Sequence, residues 1–190
     1  MIYACLNCLA EEMNIFFKSK LKIDDDRAII SGIVNQNGSI AVQGENKVLI
    51  TLINIIRDTN LKREGLTGAG LNINTAKPIC IQLHLMISCY FSDTNYVEAL
   101  RFLSFAIGFL QEKNVFDHTN TPGMDKDLEK LIFEMESVEP DKLSNIWSVL
   151  GAKYMPSVLY KVRMIVYNAN KVSEYRPVVT GIAENNPQVV

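Results

Sequence analysis

Cys5 and Cys8 are the first residues of this 190-residue chain whose types and spacing could do chemistry. A Cys-x-x-Cys pair serves thiol–disulfide exchange or supplies half of a zinc site. A zinc site needs a second ligand pair, and the other two cysteines, Cys80 and Cys89, are far apart within one apolar segment. We therefore interpret all four cysteines as packed thiols in a protein of the reducing cytosol.

The two histidines, His84 and His118, give little support to a catalytic site. His84 lies in an apolar segment, where period-two alternation places it on the same face as Gln82 and Met86. A lone histidine in such a place is usually packed or half-exposed. A serine or cysteine nucleophile also needs a base and an orienting carboxylate, and the sequence contains no Gly-x-Ser-x-Gly turn. Hydrolase chemistry is therefore disfavoured.

A glycine cluster formed by Gly65, Gly68 and Gly70 raises the question of a phosphate-binding loop. No Lys-Ser or Lys-Thr pair follows these glycines, and their spacing does not match a Walker or dinucleotide fingerprint. We interpret residues 61–77 as an exposed, mobile connection bounded by Pro78.

The carboxylates form two groups. Asp24, Asp25 and Asp26 are consecutive in a polar turn, whereas Glu134 and Glu136 alternate on the outer face of a predicted strand, followed by Glu139. Solvated surface explains both groups. We predict no catalytic, cofactor-binding or metal-binding residue, and we expect that the protein is not an enzyme.

The composition is that of one folded domain. Hydrophobic residues make up 48% of the chain and charged residues 21%, and the formal net charge is -2. This charge favours neither nucleic acid nor anionic lipid as a partner. The N-terminal segment lacks the basic start of a signal peptide, and the apolar stretches are shorter than the roughly 18–20 residues of a membrane span. We expect neither export nor a membrane span.

An amphipathic helix is predicted at the start of the chain. Apolar residues recur at three and four positions from Ile2, and Asn7, Glu11, Asn14 and Lys18 fill the other side.

The other elements follow from β-branched runs, helical periodicity and turn residues. A second helix is capped by Asp93 or Thr94 and runs through Tyr96, Leu100, Leu103, Ile107 and Leu110, with Glu98 early and Lys113 late. Pro140 and Gly151 bound a third helix. Strands are predicted at 28–34, 47–58, 78–91, 128–138 and 157–167.

These elements predict one α+β domain over residues 1–168, in the order α β β β α β α β. A mixed, mostly antiparallel sheet of four to five strands carries two or three helices. Residues 169–190 lose the periodicity and are predicted to be an extended arm. Val178, Val179 and Ile182 could add a strand to a neighbouring subunit; disorder is the alternative.

Four segments together resemble one protein family. They are MIYACLNCLAEEMN, KVLITLINIIRDTNLK, PICIQLHLMISCYFSDTNYVEALRFLSFAIGFLQEKNVF and LSNIWSVLGAKYMPSVLYKVRMIVY. The chain resembles the tail-terminator, or cap, family of extracellular contractile injection systems, in a short form similar to the N-terminal domain that these proteins share. The resemblance covers about residues 1 to 168.

The resemblance implies a structural protein without a cofactor. Such a cap would form a homohexameric ring on the inner tube and sheath, stop tube addition and hold the last sheath layer. Its partners would be further copies of itself and the sheath and inner-tube proteins. It would assemble in the cytoplasm and then become part of the particle. The first alternative is a different tail-completion or head–tail connector subunit, and the second alternative is an enzyme.

Overall fold

The computed structural model describes residues 1–57 and 79–166. The helices are α1 (Ile2–Leu21), α2 (Tyr96–Glu112) and α3 (Pro140–Leu150). The strands are β1 (Ala28–Ile30), β2 (Lys47–Arg57), β3 (Ile79–Tyr90), β4 (Val115–Asp117), β5 (Leu128–Glu136) and β6 (Ser157–Val166). The predicted α+β fold class is confirmed. The predicted mobile connection, with its glycine cluster, and the predicted arm lie outside the described residues.

The six strands form one sheet in the order β1-β2-β3-β6-β5-β4. Among the described strands, only β1 runs parallel to its neighbour, so this sheet is mixed and mostly antiparallel, as predicted. The prediction missed β4, which has three residues and pairs with β5. β1 lies at an edge and is shorter than predicted, because it pairs with β2 only as far as Ile30.

Helices α1 and α2 cover one face of the sheet. Leu83, Leu85 and Ile87 of β3 point into this layer and are fully buried. Between the two helices, the rings of Phe16 and Phe109 lie 5.2 Å apart. Burial of this apolar surface, at about 25 cal/mol per Å², is the main stabilising term of the fold.

Helix α3 covers part of the opposite face. Trp147 packs there with Leu49, Met86 and Ile33, all of which are buried. The helix begins at Pro140 and ends before Gly151, whose φ of 67° lies in the left-handed region that favours glycine. Both bounds agree with the prediction.

Asn14 is not on the exposed side of α1, where the prediction placed it. Its side chain is 9% exposed and joins α1 to the start of β1. The Asn14 Nδ2 donates to the Ala28 carbonyl, and the backbone N–H groups of Arg27 and Ala28 donate to Asn14 Oδ1. A buried amide is tolerated when its donors and acceptors are paired in this way.

Two details of α2 also differ from the prediction. Asp93 and Thr94 lie in a 3₁₀ turn, and the residue that precedes the helix is Asn95, whose side chain makes no capping hydrogen bond. The predicted apolar stripe included Tyr96 and Leu100, which are 55% and 41% exposed. Leu103 and Leu110 of the predicted stripe do face the core, and the residues that the helix buries are Ala99, Phe102, Ala106, Phe109 and Leu110.

Candidate assembly surfaces

The Cys5–Cys8 pair lies inside α1 and is buried. Burial raises the pKa of Cys5 to about 12 and, together with the Glu12 carboxylate, raises the pKa of Cys8 to about 11. Both thiols are therefore protonated at neutral pH, and the thiolate is the form that binds metal or attacks a disulfide. In the described part of the chain, no three His, Cys, Asp or Glu residues converge as a metal-binding group.

His84 lies on the sheet face opposite α1 and α2, the face that also carries Gln82 and Met86, as alternation predicts. Its side chain is 17% exposed. His84 Nδ1 lies 2.8 Å from Glu136 Oε2, and its Nε2 lies 3.0 Å from Gln82 Nε2. Sequence spacing could not reveal the partner, because β6 separates β3 from β5 in the sheet. His118 is exposed in a loop.

Glu134 and Glu136 lie on the outer face of β5, and both are paired with basic groups. Glu134 contacts Lys161 Nζ at 3.4 Å and Arg163 Nη2 at 3.6 Å, both from β6. Together with the His84–Glu136 pair, these residues form a surface that we call the charged strip. Half-exposed ion pairs contribute little to stability, and they orient partners more than they hold a fold together.

Asp25, Asp26 and Glu139, from the two predicted acidic groups, form ion pairs with basic residues within eight positions along the chain. Asp26 contacts Lys18 at 2.7 Å, Asp25 contacts Arg27 at 3.6 Å and Glu139 contacts Lys142 at 3.7 Å. These pairs agree with the interpretation of the acidic clusters as surface.

An apolar surface lies on the outside of α2. Val97 is 67% exposed, and Leu100, Ser104 and Phe105 continue a shallow groove along the helix. We call Tyr96, Val97, Leu100 and Phe105 the α2 patch. Arg101 lines the same groove, and with Glu98 and Ser104 it forms a polar stripe on α2, beside which these exposed apolar side chains lie.

A second apolar surface lies along α3. Pro140, Leu143 and Trp147 line a shallow groove with Tyr154, which is 64% exposed and whose ring lies 5.7 Å from that of Trp147. We call these four residues the α3 patch. The α2 and α3 patches lie on opposite sides of the sheet, because the two helices cover opposite faces.

In the described residues, 1–57 and 79–166, no helix is long and apolar enough to cross a membrane. The charged strip and the two apolar patches are candidate surfaces for contact with other proteins.

The chain matches the model of the Pvc16 N-terminal domain over residues 7–181 and belongs to that family. The predicted resemblance to the tail-terminator family of contractile injection systems is confirmed. A search of curated proteins found no match.

Two of the solved structures that match this chain show what it is similar to. One is the sheath/tube terminator of PVC, an extracellular contractile injection system, in its extended state, with a TM-score of 0.58 and 17% identity over 96% of this chain. The other is the tube-terminating cap of the anti-feeding prophage, with a TM-score of 0.55 and 16% identity over 95% of this chain. The match covers 63% of the first protein and 59% of the second.

Proposed function

We propose that this domain is a structural cap that terminates the inner tube and holds the last sheath layer of a contractile injection system. The observation that carries the proposal is the family match over residues 7–181. The fold, which two terminator structures share, supports it. On this proposal the protein catalyses no reaction and needs no cofactor.

The cap acts as a ring-shaped homo-oligomer, with a homohexamer as the expected form. A ring closes through head-to-tail contacts, so each subunit needs two different surfaces that fit each other. The α2 and α3 patches are two such surfaces, and they lie on opposite sides of the sheet. Val97 and Tyr154 supply exposed apolar area for the contact.

The charged strip provides a polar surface toward the other partners, the sheath and inner-tube proteins. Its two signs alternate, with Glu134 between Lys161 and Arg163. Such a pattern selects partners of complementary charge order and excludes uniformly charged ones. Residues 169–190 act as an arm that contributes to assembly. The protein assembles in the cytoplasm and then remains in the particle.

The oligomeric state of the purified protein tests the ring. The purified protein is examined by mass photometry and negative-stain electron microscopy at a range of protein concentrations, in the absence and presence of the cognate tube protein. Closed rings of one size, formed alone or on tube ends, are the expected result. A protein that stays monomeric and leaves tube ends bare under all these conditions contradicts the proposal.

A further inference from the structure

The two outermost strands among those described, β1 and β4, are short. Each has three residues, and each pairs with one neighbour, β1 with β2 and β4 with β5. An edge strand points N–H and C=O groups to its outer side, where a strand of another copy can pair with them. The fate of these outward groups therefore decides whether the sheet can grow from one copy to the next.

The outer side of β1 is occupied by the Asn14 amide. The Arg27 carbonyl accepts from the Val48 N–H at 2.8 Å, so it points toward β2. By alternation, the backbone groups of the next residue, Ala28, point away from β2. Asn14 Nδ2 donates to the Ala28 carbonyl at 2.9 Å, and the Ala28 N–H donates to Asn14 Oδ1 at 2.8 Å. Both outward groups of Ala28 are thus paired with one side chain of α1.

The outer side of β4 is occupied in the same way by the Asn120 amide. The Phe133 N–H of β5 donates to the Asn114 carbonyl at 2.8 Å, so this carbonyl points toward β5. By alternation, the backbone groups of Val115 and Asp117 point away from β5. Asn120 Nδ2 donates to the Val115 carbonyl at 2.9 Å, and the Asp117 N–H donates to Asn120 Oδ1 at 3.1 Å.

The turn that follows β4 holds Asn120 in this position. Thr121, which is 1% exposed, donates its hydroxyl to Asn120 Oδ1 at 2.8 Å. Lys113 Nζ donates to the Asn120 carbonyl at 3.0 Å and contacts Glu12 of α1 at 2.8 Å. The Asp117 carbonyl is also occupied, by the Thr121 N–H at 2.8 Å. Because these contacts fix the turn, the amide is preorganised to cover the edge.

An asparagine amide suits this position because it carries an N–H donor and a carbonyl acceptor, as does the peptide group of a paired strand. The two amides come from different parts of the chain, α1 and the turn after β4. Each nevertheless bonds one outward N–H and one outward C=O of an edge strand. A strand of another copy can pair with either edge only by displacing an amide that already makes these bonds.

We propose that Asn14 and Asn120 are edge guards, side chains that prevent β1 and β4 from pairing with a strand of another copy. Contacts between copies at these two ends of the sheet are then made by side chains, and open-ended growth by strand addition is blocked. The inference goes beyond the proposed function, and it holds for a monomer as well as for a ring.

Asn120→Ala tests the guard at β4, because Asn120 is exposed in a turn. Amide hydrogen exchange, measured by NMR on the full chain, follows the Asp117 N–H. We expect this N–H to exchange roughly 10-fold faster in the variant, the change that the loss of one hydrogen bond produces. Asn37→Ala is the matched control, because Asn37 is also exposed and its Oδ1 accepts from the Ser39 N–H within its own turn. The control should leave exchange at Asp117 unchanged.

Self-association gives the second readout. The native protein, Asn14→Ala, Asn120→Ala and Asn37→Ala are compared by light scattering and thioflavin T fluorescence over a range of concentrations, at a temperature where circular dichroism shows that each is folded. We expect both guard variants to form assemblies that bind thioflavin T and grow with concentration, whereas the native protein and Asn37→Ala do not. In the assemblies of Asn120→Ala, the Asp117 N–H should be protected from exchange again.

The Asn120→Ala variant decides the outcome on its own, should Asn14→Ala fail to fold. Exchange at Asp117 that stays at the native rate would overturn the inference. So would an Asn120→Ala protein that keeps the native size at every concentration. Association that leaves the Asp117 N–H unprotected would place the contact on another surface and overturn the inference as well.

Discussion

Replacing Asn14 by alanine should test how α1 holds β1. The side chain makes three hydrogen bonds, with the Ala28 carbonyl, the Arg27 N–H and the Ala28 N–H, at 2.8 to 2.9 Å. Ala28 is 2% exposed, so water has little access to its freed groups. An unsatisfied buried group costs about 1–3 kcal/mol. We expect Asn14→Ala to lower the free energy of unfolding by about 3 kcal/mol, because partial rehydration offsets some of the loss.

Urea titration followed by circular dichroism measures this loss, and a thermal scan should show a decrease in Tm of about 6–12 °C for a chain of this size. Asn7→Ala is the matched control on the same helix, because the Asn7 side chain bonds only to Glu11 at the surface in the described structure. Its effect should stay within about 0.5 kcal/mol. If Asn14→Ala changes the free energy of unfolding by less than about 1 kcal/mol, the buried amide does not anchor β1 and the reasoning is refuted.

Three further predictions follow from the surfaces, the thiols and the arm. Val97→Asp should abolish the oligomers seen by mass photometry without lowering Tm, because Val97 is 67% exposed. Gln111→Asp, near the end of the same helix, should leave the oligomers intact. Equal behaviour of the two variants would exclude the α2 patch as a contact between subunits. Burial raises the pKa of Cys5 and of Cys89 to about 12 from 9.0, so the folded state holds these protons more tightly. The free energy of unfolding should therefore be insensitive to these thiols below pH 9 and fall above it, and a urea series that shows no fall up to pH 10.5 would count against their burial. Truncation after Asn168 should impair ring formation and integration into particles. Unchanged assembly of a folded truncated protein would show that the arm does not contribute to assembly.

The long strands could be predicted from the sequence because their signals are local. β2 and β3 were predicted at 47–58 and 78–91, close to Lys47–Arg57 and Ile79–Tyr90. Their β-branched and apolar residues and their flanking turn residues carry that information within each segment. The same holds for α3, whose Pro140 and Gly151 mark its ends.

Contacts between distant segments could not be predicted in the same way. The partners of Asn14 lie 13 and 14 residues along the chain, so helical periodicity assigned this amide to the exposed side. β4 is a strand only because Val115 and its two successors pair with β5. The stripe that α2 buries was predicted only in part, at Leu103 and Leu110, because its position depends on where α1 and β3 pack.

For the candidate surfaces too, local features could be predicted from the sequence and contacts between distant segments could not. Periodicity places Glu134 and Glu136 on the outer face of β5, but their basic partners come from other strands. The interpretation of the Cys5–Cys8 pair as packed thiols followed from the absence of a second ligand pair in the sequence, and both side chains are buried in α1.

Electron microscopy of particles from bacteria that lack this gene tests the central claim most directly. The lengths of sheath and tube are recorded for the deletion strain, for the wild type and for the deletion strain complemented with the gene. If the protein is a terminator, we expect over-long, ragged or absent sheathed particles in the deletion strain and particles of normal length after complementation. Particles of normal length and stability in the deletion strain would contradict the proposed cap.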